Sequence, residues 1–119
     1  MTRPRFDSHS TEFGLWLRNQ KDIDSKLGYV TTNLDYIWKN YNTGKWLLIE
    51  EKRHRADITY SQKKIFDSLN QILKKDPSYL GLYLIVFENT SPEDGKIWIN
   101  KKESTKEELF YLLKRVGIK

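Results

Sequence analysis

The stretch that most limits what this chain can become runs from Asn33 to Lys52, NLDYIWKNYNTGKWLLIEEK. Two runs rich in β-branched and aromatic residues flank the polar, glycine-containing YNTG, which is the signature of a β-hairpin. Successive side chains of a strand point to opposite faces. On the second arm Trp46, Leu48, Glu50 and Lys52 therefore share one face, and Leu47, Ile49, Glu51 and Arg53 share the other. An apolar face turns into Glu50 and Lys52 at its far end.

Pairing the arms across YNTG with Asn40 opposite Lys45 puts Asp35 opposite Glu50 and Asn33 opposite Lys52. Directly opposed residues lie on one face with Cβ atoms roughly 4.5–5.5 Å apart. Two carboxylates at that separation repel and need a cation between them. A hard divalent ion such as Mg²⁺, held by one or two carboxylates together with waters and phosphate oxygens, meets the need. A G1 bulge at Gly44 would slip the register by one residue and bring Glu51 to the place of Glu50. The face also carries Ile37, Trp46 and Leu48, so it reads as a core face. Charges at the border of such a face are costly unless a partner or ion compensates them.

With 119 residues the chain is expected to form one domain with a core of its own. It lacks cysteine, which excludes disulfides and thiolate zinc sites. No apolar run reaches the length of a membrane span, and MTRPRF lacks the apolar stretch of a secretion signal; a cytoplasmic protein without membrane contact is expected. The net charge of +5 and a pI near 9.3 favour a polyanionic partner, with nucleic acid first in line.

In chain order, residues 1–9 read as a flexible basic arm. A first helix fits from Ser10 or Thr11 to about Gln20, with Phe13, Trp16 and Leu17 as its buried stripe and Glu12 in its first turn. Residues 21–29 read as a loop. After the hairpin comes the basic run Arg53-His54-Arg55, suited to phosphate contact beside the two acids. A second helix spans about Tyr60 to Lys75, with Thr59 and Gln62 as a capping box and Phe66, Leu69 and Leu73, with Ile65 and Ile72, as its stripe. Lys63 and Lys64 lie off that stripe, free to meet a nucleic-acid backbone. Residues 79–88, YLGLYLIVFE, are apolar on both faces, as in a buried central strand. KIWIN, after the turn at 89–95, reads as an edge strand. Thr105 and Glu108 cap a last helix that runs to about Val116, with Leu109, Leu112, Leu113 and Val116 buried. The order is α-β-β-α-β-β-α, an α+β fold with a mixed central sheet flanked by helices.

Asp35 on one strand and Glu50-Glu51-Lys52 on the next resemble the PD-(D/E)XK nuclease superfamily, in which an acid is followed by (D/E)-x-K at a hairpin's end. Leu34 stands where the superfamily's name has proline. The strand that usually precedes the acid-bearing one has little room here. The resemblance implies a restriction-endonuclease-like core and a small stand-alone, junction-resolvase-like or phage-type member. It implies a Mg²⁺-dependent endonuclease, Mn²⁺ able to substitute, cutting phosphodiester bonds in nucleic acid, DNA above all, as a possible homodimer through KIWIN or the last helix. Residue by residue, it implies a metal held by Asp35, Glu50 and the backbone carbonyl of Glu51, with Glu12 reaching the metal site from the first helix. Lys52 would stand beside the nucleophilic water and the scissile phosphate, and Gln62 would position one of them, although capping alone also accounts for Gln62. Arg53, His54, Arg55, Lys63 and Lys64 would contact nucleic acid. The alternative is a non-catalytic nucleic-acid-binding module on the same fold, for which Asp35 and Glu50, as acids in a phosphate groove, would have no use.

Overall fold

The computed structural model describes residues 12–119 apart from Asp24, Val30 and Thr31, and leaves the side chains of Arg18 and Ser25 undescribed. The expected arm at residues 1–9 and the helix start at Ser10 or Thr11 lie outside the described residues. By its internal contacts the chain divides into two units, 1–33 and 34–119.

In the N-terminal unit a short helix α1 spans Glu12–Arg18, and two 3-10 turns follow at Lys21–Ile23 and Ser25–Leu27. Asn19 Nδ2 donates to Leu15 O at 2.7 Å and Gln20 Nε2 to Trp16 O at 3.0 Å. These bonds take up carbonyls that the helix end leaves open. The spacing does put Phe13 and Trp16 on one face, where their rings stack at 6.0 Å. The face is not buried, however: Phe13 is 66% and Trp16 55% exposed. Helical spacing fixes which side chains share a face, and burial needs a second element against that face.

The second unit is a five-stranded mixed sheet in the order β1-β2-β3-β4-β5. β1 (Tyr36–Lys39) and β2 (Trp46–Lys52) form the hairpin. Its pairs run from Tyr36↔Ile49 to Lys39↔Trp46, the register derived from Asn40 opposite Lys45. The turn closes without a slip: Asn40 N–H donates to Lys45 O at 3.0 Å and Gly44 N–H to Asn40 O at 2.8 Å. The Asn40 side chain accepts the amides of Asn42 and Thr43, the local bonding that makes asparagine a turn residue. Gly44 supplies the positive φ, 77°.

β2 leads through helix α2 (Tyr60–Leu73) into β3 (Tyr79–Phe87), which pairs parallel to β2. Parallel neighbours require such a crossover. The pairing skips a residue between Trp46↔Tyr79 and Leu48↔Leu82, and Gly81 sits at the skip with φ 120°, a conformation that side chains disfavour. β4 (Ile97–Ile99) and β5 (Lys102–Ser104) complete the sheet, and helix α3 (Lys106–Lys114) closes the chain with a 3-10 turn.

The strand β5 is a departure from the expected order, which becomes α-β-β-α-β-β-β-α. KIWIN is therefore interior, and the edge belongs to Lys102–Ser104. Asn100 and Lys101, at φ 50° and 70°, make the two-residue turn. Turns of this left-handed kind match the twist of a hairpin but are signalled by Asn-Gly far more strongly than by Asn-Lys. An interior β4 offers no free strand to a second copy.

Alternation then sorts the side chains into two layers. Leu47, Ile49, Ile85, Phe87 and Ile97 meet Leu109, Leu112 and Val116 of α3 and its turn in the main core. The hairpin clasps the end of α3: Trp38 Nε1 donates to Leu113 O at 2.9 Å, and Thr43 Oγ1 donates to Val116 O. Leu48, Leu84 and Glu50 point to the other face, which α2 covers through Phe66. Tyr79 OH ties the two by donating to Asn70 of α2 at 2.7 Å. Ile37 and Ile72, both expected inside, are 71% and 63% exposed. No helix among the described residues is long and apolar enough to cross a membrane.

Candidate functional site

The α2-covered face ends in charge. Glu50, on the central stretch of β2, is 3% exposed and the one charged residue among the buried ones described. Alternation along β2 sets position 50 on the same face as Leu48, and β3 pairs with it through Leu84. Asp35 lies one step beyond the last hairpin pair, Tyr36↔Ile49, and so falls across from Glu50. Its Oδ2 accepts the backbone N–H of Glu51 at 2.8 Å. A side-chain oxygen takes the bond that a further strand residue would have taken, and the carboxylate is fixed at the hairpin's open end. Peptide groups of one residue face the same neighbour in a ladder, so the Glu51 carbonyl is directed to the Asp35 side as well.

Burial pushes the Glu50 carboxyl up to about 7, with the negative charge of Asp35 as the second cause and Lys52 opposing both. Lys52 Nζ stands 3.6 Å from Glu50 Oε2. Glu50 Oε1 is buried and has no hydrogen-bond partner. A buried carboxylate oxygen left bare is expensive, and it is the donor such a site would offer to a cation.

Lys52 is steered from α2. Its Nζ donates to Gln62 Oε1 at 3.1 Å, and the same oxygen accepts Thr59 N–H at 3.1 Å while Thr59 Oγ1 accepts Gln62 N–H at 3.1 Å. Thr59 and Gln62 form a complete capping box at the start of α2. The cap pins the amide, and the pinned amide holds the lysine.

The remaining sequence candidates make other contacts. The Glu51 side chain is on the opposite face, where it accepts from Tyr36 OH at 3.4 Å and pairs with Arg53 Nε at 3.5 Å. Glu51 thus enters the site by its peptide alone. The charge of Glu51 is the chief cause that raises the Tyr36 hydroxyl above its ordinary range. Lys63 pairs with Asp67 at 2.9 Å, and Lys64 lies 5.3 Å from the centre of the Tyr60 ring, both exposed on α2. Arg55 pairs with Glu88 and lies 5.3 Å from the centre of the Trp98 ring. His54 is exposed. Glu12 opens α1 in the N-terminal unit. Trp98 escaped the sequence reading. Its signal was the alternation of KIWIN, which sets it on the face opposite Ile97 and Ile99.

Among the described residues no three His, Cys, Asp or Glu side chains gather as metal ligands. The donor set of Asp35, Glu50 and the Glu51 carbonyl is all oxygen and leaves most positions to water or phosphate. That is how Mg²⁺ is ordinarily bound, and the bare Glu50 oxygen fits it.

Fold and site define an α+β protein with a mixed five-stranded sheet and, at the end of its hairpin, an acid pair flanked by a lysine in which Glu50 is buried and Asp35 partly so. No family model and no solved structure matches the chain. A protein of Archaeoglobus fulgidus described as uncharacterized is 30% identical over 114 residues, spanning 78% of this chain and 73% of its own length. The chain belongs to one family with that archaeal protein.

Proposed function

We propose that the protein is a divalent-cation-dependent endonuclease of the PD-(D/E)XK type, on a restriction-endonuclease-like core. It cuts phosphodiester bonds in nucleic acid, DNA in the first place and branched DNA within that, inside the cell. The observation that carries the reading is Glu50: a buried carboxyl with a bare oxygen, set beside a second acid and one lysine.

Mg²⁺, or Mn²⁺ in its stead, would be held by Asp35, Glu50 and the Glu51 carbonyl, and it supplies charge at the scissile phosphate and a bound water of lowered pKa. The chain's own residues do the rest. Asp35 is held in place by the Glu51 N–H. Glu50 must be ionised to act as a ligand, and its carboxyl is pushed up to about 7 without metal, so metal binding strengthens as pH rises through that value. Lys52, fixed by Gln62, keeps a positive charge beside the reacting phosphate, where charge placed in advance is most effective. Arg53 and Arg55, each more than two-fifths exposed along the side chain, supply backbone contacts at the site's margin. A homodimer would present two such sites to a symmetric junction.

The test is cleavage of labelled single-stranded, duplex, flap and four-way-junction DNA, and of RNA, in Mg²⁺, Mn²⁺ or EDTA, with Glu50→Ala beside the wild type. Metal-dependent cutting that disappears in Glu50→Ala is expected. Salt-sensitive binding by both proteins without cutting of any substrate would replace the enzyme with a binding module.

A further inference from the structure

Beside the acid pair, on the same face of the sheet, lies an open cleft of about 220 Å³ lined by Arg55, Ala56, Asp57, Leu84, Val86, Trp98 and Lys101. Its floor is a direct continuation of the site. Leu84 is the ladder partner of Glu50, Val86 that of Lys52, and Trp98 pairs in turn with Val86. Adjacent strands lie about 4.8 Å apart, so Lys52, Val86 and Trp98 form one row and the cleft begins a single strand spacing from Lys52.

The cleft has an apolar floor, an aromatic wall and a cation on each rim. Arg55 rises from the turn after β2, and its guanidinium lies 5.3 Å from the centre of the Trp98 ring. Lys101 rises from the turn between β4 and β5 and reaches Asp57 at 3.4 Å. These two turns also hold every described non-glycine residue with a positive φ: His54 at 54°, Arg55 at 59°, Asn100 at 50° and Lys101 at 70°. Left-handed backbone is disfavoured for all of them, asparagine least, and where it persists the surroundings must enforce it. Here it brings Arg55 and Lys101 into the lining of one cleft with the Trp98 indole.

The volume is too small for a drug-sized ligand, whose pockets run from roughly 300 Å³ upward. It suits one planar ring system. Indole stacks with nucleobases as it does with guanidinium, and Asp57 offers an acceptor to a base amino group. We propose that this cleft seats a single unpaired nucleobase from the strand whose phosphodiester lies at Asp35, Glu50 and Lys52. The base stacks on Trp98, displacing the Arg55 guanidinium toward the adjoining phosphate, and Lys101 holds the phosphate on the far rim. The proposal rests on the nuclease reading for its substrate. It adds that the enzyme recognises an unstacked base next to the cut, as found at a junction, flap or single strand.

The experiment walks one abasic residue through a fluorescently labelled single strand and measures affinity by anisotropy, with Ca²⁺ replacing Mg²⁺. Wild type, Trp98→Ala, Trp98→Phe and Lys101→Ala are compared, with folding checked by circular dichroism. Cleavage in Mg²⁺ is measured beside it. In the wild type one abasic position should weaken binding about tenfold or more, the effect of losing one base–aromatic stack. In Trp98→Ala the same position should have no effect. Trp98→Phe should keep part of the penalty, which holds the test open if the alanine variant does not fold. Cutting with an equal abasic penalty in wild type and both Trp98 variants overturns the cleft and leaves the nuclease. A Trp98-dependent penalty without any cutting keeps the cleft and overturns the nuclease. No binding of any strand overturns both.

Discussion

Glu50→Gln should make the protein more stable while abolishing cleavage, and the size of the effect follows from the site. The Glu50 carboxyl is held at about 7 against an ordinary 4.5, by burial first and by Asp35 second. Below pH 4.5 the group is protonated in both the folded and unfolded chain and adds nothing. Between 4.5 and about 7 the unfolded chain has released this proton and the folded one still holds it. Stability therefore falls as pH rises across that window and levels off above it. At about 1.4 kcal/mol per pH unit the loss approaches ~3 kcal/mol. Urea unfolding in EDTA, from pH 4.5 to 8, reads it directly. Titrating groups away from the site are common to both proteins, so the difference between wild type and Glu50→Gln reports Glu50 together with its interactions with Asp35 and Lys52. The curves should meet near pH 4.5 and part by up to about 3 kcal/mol at pH 8, a midpoint change on the order of 1–3 M urea for a protein this small. Saturating Mg²⁺ should narrow the gap by stabilising the wild type, by about 2.7 kcal/mol at a hundred times the dissociation constant. Parallel curves, or a variant less stable than wild type at pH 8, would refute the reasoning.

Lys52→Met removes the cation 3.6 Å from Glu50. The Glu50 titration, followed by carboxyl NMR, should move further up, and the cleavage rate should drop by about 10²–10³, the usual effect of losing one prearranged charge contact. Thr59→Ala breaks half of the capping box and should lower stability by about 1 kcal/mol in thermal unfolding, with cleavage preserved. Gln62→Ala should lose comparable stability and slow cleavage too, because Lys52 loses its anchor; equal rates in the two variants would leave Gln62 a cap and nothing more. Gly81→Ala forces a side chain into φ 120° with its Cβ 3.4 Å from the Tyr83 ring, and denaturant unfolding should register a loss of about 1–3 kcal/mol.

What could be read in the sequence was whatever local chemistry decides. YNTG carried its own hydrogen-bond pattern, so the turn alone set the pairing and brought Asp35 across from Glu50. Both capping boxes formed as written, at Thr59 and at Thr105. The buried strand and the α3 stripe followed from apolar patterning. What escaped depended on partners distant in sequence. Spacing grouped Phe13 with Trp16 and placed Ile37 beside Leu48, but exposure is decided by what lies over a face. The β5 strand was hidden because its turn uses Asn100 and Lys101 in a conformation their identities barely advertise. The same turn, with Trp98, builds the cleft beside the acids, and no spacing within KIWINKKES announced it. Gln62 was legible as a cap and equally as a site residue. That one oxygen accepts from both the Thr59 amide and Lys52 became visible only with the position of Lys52.

Asp35 and Glu50 should together hold a divalent cation, and calorimetric titration measures this without recourse to cleavage. Mn²⁺ would be added to wild type, Asp35→Asn and Glu50→Gln at pH 6.5, in buffers of different ionisation enthalpy. The wild type should show one site, binding with release of a large fraction of a proton from Glu50, and both variants should lose it. Binding retained at wild-type strength in either variant, or no binding by the wild type, would contradict it.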